Sequence, residues 1–101
     1  MFESEDREVA TIKGRLKDSL TEEEGLAWAN ALDSGIYLQG RSDLYNERDD
    51  RYCCLGVLGK MMGEIRYEYI PADVENALIF LNDDIRYDFP HIAKLIREAY
   101  E

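Results

Sequence analysis

One imidazole, two adjacent thiols and two Asp-Asp pairs are the groups through which this 101-residue chain could do chemistry. His91 is the sole histidine, so a two-histidine zinc site is excluded, and any zinc would need Cys53 or Cys54 together with distant carboxylates. A nucleophilic cysteine needs a base within hydrogen-bond reach and a lowered thiol pKa. Nothing in the spacing brings His91 to a thiol, and neither cysteine has a basic or imidazole residue directly beside it. Adjacent cysteines also form only a badly strained disulfide. Cys53 and Cys54 sit in the most apolar stretch of the chain and read as small buried hydrophobes. Asp49-Asp50 and Asn82-Asp83-Asp84 suggest a hard-cation loop or an acid–base pair, but the twelve-residue calcium spacing is absent from both. Such pairs are the usual content of hairpin tips and helix breaks, and are read here as structural turns. The chain has no dinucleotide-binding glycine motif, no Walker lysine motif and no serine elbow. The expectation is a non-enzymatic protein with no catalytic residues, no metal and no cofactor.

The elements that position these residues follow from capping and periodicity. Val9, Ile12, Leu16 and Leu20 recur at spacings of three and four, as on one apolar helical stripe, although Gly14 interrupts it and Val9 to Ile12 also reads as a short edge strand. Thr21-x-x-Glu24 is a capping box with three acids in the first turn, and Gly35 suits a left-handed stop, so a helix is expected over Thr21 to Ser34. Trp28, Ala29 and Leu32 share a face extended by Gly25, which makes the indole a core anchor. Ile36 to Gln39 and Leu44-Tyr45 precede the polar tip 46–51, and Tyr52 to Cys54 follow it, as in a short hairpin.

Leu55 to Met62 is apolar nearly all round and reads as a buried helix stopped by Gly63, with Gly56 and Gly59 allowing another backbone close approach. Ile65, Tyr67 and Tyr69 alternate with charged residues as in a strand. A helix follows from Pro71 to a polar break at Asn82-Asp83-Asp84. The last helix, capped by Asp88 with Pro90 in its first turn, carries the stripe Phe89, Ile92, Ala93, Ile96, Ala99 and Tyr100. These elements predict an α+β fold: one mainly helical domain over 1–101, with 1–20 an acidic N-terminal extension, packed around a small antiparallel sheet of the hairpin plus one strand.

Charge says more about partners than any motif does. Twenty-two acids against twelve Lys and Arg leave a net charge of -10, which repels phosphate backbones and anionic lipid, so direct nucleic-acid or membrane binding is not expected. No apolar run approaches the roughly 18 residues of a membrane span, and the first residues lack the order of a signal peptide, so a cytoplasmic location is expected. Glu64, Glu68, Asp73, Glu75, Asp83, Asp84 and Asp88 could form one acidic partner-binding face complementary to a basic surface.

The pattern Trp28-x-x-Ala31-Leu32-x-Ser34-Gly35-x-Tyr37-x-Gln39, then Tyr52-Cys53-Cys54-Leu55-Gly56-Val57-Leu58, Leu81-Asn82-Asp83 and Phe89-x-x-Ile92-Ala93 resembles a family of small proteins encoded by tailed bacteriophages and prophages. The resemblance implies an accessory protein made in the bacterial host cytoplasm. It points to an anti-CRISPR-like inhibitor of a host nucleic-acid-binding defence complex, acting on a host protein with a basic surface. The alternative is a sponge for a nucleotide immune signal, with Tyr faces stacking a base and Arg41, Arg48 and Arg51 meeting phosphates.

Overall fold

In the computed structural model, which describes residues 2–41, 43–63 and 70–101, the predicted first stripe is a helix, α1 (Phe2–Arg15), followed by a 3-10 turn (Leu16–Asp18). Ile12, Leu16 and Leu20 are all buried. The edge-strand alternative for Val9 to Ile12 is not adopted, and Gly14 lies in the last turn of the helix, with its Cβ position facing open space. A mid-helix glycine costs about 1 kcal/mol, while burying Ile12 and Leu16 returns about 1.5 to 3 kcal/mol each. The acidic first twenty residues therefore supply core side chains rather than only a solvated extension.

α2 (Glu22–Asp33) starts at the expected box: Thr21 Oγ1 accepts from the Glu24 amide at 3.1 Å, and Glu24 Oε1 accepts from the Thr21 amide at 3.0 Å. Its buried face is Gly25, Trp28, Ala29 and Leu32, and it packs along α5 (Phe89–Glu98), just beyond which the Tyr100 ring lies against Gly25. Asp88 caps α5 by accepting from the His91 amide at 3.0 Å, and the predicted stripe is buried from Phe89 to Ala99, with Tyr100 half-buried.

Three two-residue strands, β1 (Leu38–Gln39), β2 (Tyr45–Asn46) and β3 (Arg51–Tyr52), form a sheet of order β1-β3-β2. β2 and β3 are the predicted hairpin, antiparallel with Tyr45 opposite Tyr52. β1 pairs parallel to β3, Leu38 beside Arg51, so the sheet is mixed where an antiparallel one was expected. The other expected strand, Ile65 to Tyr69, lies outside the described residues.

α3 (Cys54–Met62) is the predicted buried helix, and Gly63 follows it at φ 87°. Of its two glycines only Gly56 serves close approach: a Cβ there would fall 1.8 Å from the Leu44 carbonyl oxygen, whereas Gly59 faces open space. α4 (Ala72–Ile79) does not break at Asn82. It runs on as a π-helical turn (Phe80–Ile85) that closes on the left-handed Arg86 at φ 68°. With i and i+5 bonded, the wider turn carries Asn82 inward instead of leaving it at a solvated break. The result is α+β and mainly helical, with α1, α2, α4 and α5 packed together and the sheet set beside α3.

Candidate functional site

Asn82 is completely buried, and all of its side-chain capacity is used. Its Oδ1 accepts from Gln39 Nε2 at 2.9 Å and from the Cys54 amide at 3.3 Å, and its Nδ2 donates to Gly40 O at 3.0 Å and to Asp83 Oδ1 at 2.7 Å. Gln39 makes three side-chain bonds: besides the one to Asn82, Nε2 donates to Tyr87 O at 2.8 Å, and Oε1 accepts from the Phe89 amide at 3.0 Å. Trp28 Nε1 donates to Cys54 O at 2.9 Å. One network thus ties α2, β1, the start of α3, the π-helical turn and the start of α5. Buried amides satisfied this completely fix geometry, because each lost partner would leave a desolvated group behind.

The groups that could carry chemistry are drawn into the same interior or held by neighbours. The Cys54 thiol is fully buried, 3.9 Å from Leu78 O, and Cys53 is 7% exposed. Burial pushes both thiols up, Cys54 well above its ordinary value, so each is protonated at neutral pH and a poor nucleophile. His91 stacks on Tyr87 with ring centroids 3.7 Å apart, beside a small cleft of about 110 Å³ lined also by Val9, Lys94, Leu95 and Glu98. Tyr87 Oη donates to Glu5 Oε1 at 2.5 Å, and burial followed by that bond raises the phenol to about 12. No group of three or more His, Cys, Asp or Glu suited to a metal occurs among the described residues.

Of the seven carboxylates expected to make one face, five lie among the described residues. Glu64 and Glu68 lie outside the described residues. Asp73 pairs with Arg15 at 2.6 Å, Asp83 accepts from Asn82, and Asp88 caps α5. Glu75 is half-buried at the start of α4, and Asp84 is exposed on the π-helical turn. At about 1.5 Å per residue, Asp73 and Asp84 stand roughly 15 Å apart along this helical run.

The segment that carries Asp83 and Asp88 is tied to the sheet region, because Gln39 and Arg41 bond main-chain groups of Asn82, Tyr87 and Phe89. The three arginines proposed to meet phosphate share that region. Arg41 Nε donates to Asn82 O at 3.1 Å and Arg51 Nη1 to Gln39 O at 3.1 Å, which spends part of both guanidiniums on holding backbone. Tyr52 lies between Tyr37, edge-on at 5.2 Å, and Tyr45, tilted at 4.7 Å. The Tyr45 phenol donates to Asp50 at 3.0 Å, a bond that holds its pKa above the ordinary value.

Sequence reasoning missed the pairing of Gln39 with Asn82, although both stood in the pattern that carried the family resemblance. A small α+β domain with a self-satisfied polar interior is what the fold and this network define. The chain belongs to the family described as Domain of unknown function (DUF8296), whose profile matches residues 22–76. That span runs from the first turn of α2 through the sheet and α3 into α4, and holds Trp28, Gln39 and Cys54 but not Asn82. No curated protein and no solved structure matches the chain.

Proposed function

We propose that the protein is a phage-encoded, non-enzymatic binding protein that inhibits a host nucleic-acid-binding defence complex by covering its basic surface. The observation that carries this reading is the placement of charge. The described buried side-chain polar atoms all have partners inside the fold, while no Asp or Glu among the described residues is buried and the chain's net charge is -10. Ion pairs among the described residues, such as Lys13 with Glu98 at 3.1 Å and Arg97 with Asp33 at 2.7 Å, neutralise only a minority of the 22 acids. A surplus of that size steers the protein toward cationic surfaces and away from nucleic acid itself. The buried, protonated thiols support a structural rather than a catalytic role for the cysteines.

The test is target-DNA binding by a panel of purified CRISPR effector complexes as the protein is titrated in. The reading expects DNA binding to be lost for at least one complex at low salt and restored as added salt screens the charges. A panel in which every complex keeps its DNA would overturn it.

A further inference from the structure

We infer that one side of the small sheet, carrying Ile36, Leu38 and Leu44, is the contact through which two copies of this chain form a dimer. The inference goes beyond the proposed function and does not depend on it. The sheet register sorts the side chains into two sets. Tyr37, Gln39, Tyr45 and Tyr52 share one side: the rings of Tyr37 and Tyr45 both meet that of Tyr52, and Gln39 enters the Asn82 network. Alternation along the strands turns Ile36, Leu38 and Leu44 to the opposite side, where Arg51 stands on the central strand between Leu38 and Asn46. Ile36 is 77% exposed, Leu38 51% and Leu44 43%, and the stem of Arg51 extends the apolar surface between the strands.

This side is held from behind. Gly56 packs on the Leu44 carbonyl, and Gln39 is bonded at both ends of its amide, so a second copy meets backbone that is already ordered.

Charge selects the occupant. Arg41, Asp43 and Arg51, with the one arginine and three carboxylates of the 47–50 turn, set three arginines against four carboxylates around the sheet, a local charge of -1 in a chain of -10. All seven are exposed, and none forms an ion pair with another described residue. A basic partner finds little acidic excess here and meets Arg51 in the middle of this side. A second copy supplies both signs: across a two-fold axis the unpaired arginines of each chain face unpaired carboxylates of the other. Repulsion between two chains of -10 is also least where the local charge nearly cancels. Three aliphatic side chains cover less than the roughly 800 Å² per partner of a standard interface, so the dimer is weak, with a dissociation constant on the order of 100 μM.

Sedimentation equilibrium of the full chain from about 10 μM to about 1 mM tests this. The expected result is a dimer that grows in over that range, and a loss of association of at least about tenfold in the double variant Ile36→Ser, Leu38→Ser with its melting temperature unchanged. Should the double variant melt early, Leu44→Ser replaces it, and the same loss is required. The charge argument is tested by Arg48→Glu against Lys94→Glu, an exposed position on α5 that changes the net charge equally away from the sheet. Arg48→Glu should weaken the dimer at least about threefold more than Lys94→Glu does. A chain that stays monomeric throughout, a dimer that survives the apolar substitutions, or equal effects of the two charge reversals would overturn the inference.

Discussion

Replacing Asn82 with alanine removes the residue that joins β1, the start of α3 and the π-helical turn within the buried network. The Cys54 amide and the Gly40 carbonyl each lose their Asn82 partner, whereas Gln39 keeps Tyr87 O and the Phe89 amide. An unsatisfied buried amide costs about 1 to 3 kcal/mol; the half-buried carbonyl adds roughly 1, and the space left by a fully buried side chain adds more. We expect a loss of about 3 kcal/mol, which for a domain of this size lowers the melting temperature by roughly 15 °C, followed by circular dichroism. Asn82→Asp separates donor from acceptor. The two bonds accepted by Oδ1 persist, but at neutral pH a carboxylate oxygen replaces the donor facing Gly40 O and the Asp83 carboxylate. Burial and that neighbour raise the introduced carboxyl's pKa in the folded state, so its proton, and the donor it restores, are present in acid and lost as pH rises through the folded value. The Asn82→Asp deficit relative to wild type should therefore be larger near pH 8 than near pH 5. Melting of Asn82→Ala within about 2 °C of wild type would refute the reasoning, because the network would then not be holding the elements together.

The glycines of α3 should part company. Gly56→Ala drives a Cβ into Leu44 O and should cost about 3 kcal/mol, while Gly59→Ala meets nothing and should gain about 0.5 to 1 kcal/mol, both read by chemical denaturation. Neither cysteine should react with a thiol reagent at neutral pH until the protein unfolds, since both are buried with raised pKa values; fast reaction of the native protein would reopen an active-site role. Absorbance titration of the phenols should show a late phase near pH 12 from Tyr87 and Tyr100, reduced in Tyr87→Phe. Because their folded pKa values lie above the unfolded one, the stability linked to these two protons is intact below about pH 10 and is lost as pH rises toward 12.

What could be read from the sequence was local. The Thr21–Glu24 box, the Asp88 cap and the stripe of α5 depend on residues three or four apart, and the structure reproduces them. Trp28 as a core anchor was legible because its face repeats through Ala29 and Leu32. Gln39 and Asn82 are 43 residues apart, and nothing near either one signals the other. Asn beside two Asp looks like a turn, so the π-helical continuation that buries Asn82 was read as a break. The parallel pairing of β1 was hidden for a related reason: two residues are too few to show a period. Among the candidate partner-binding residues, three of the five described carboxylates turned out to have local duties, which composition alone cannot separate from a free acidic face.

That exposed carboxylates deliver the protein to a basic partner is tested most directly by the salt dependence of effector inhibition. With a sensitive effector complex in hand, the half-inhibitory concentration is measured as ionic strength rises from about 0.05 M to 0.5 M, a range over which the Debye length falls from roughly 14 Å to 4 Å. A rise of at least about tenfold is the expected result. A half-inhibitory concentration that stays constant across that range would contradict it.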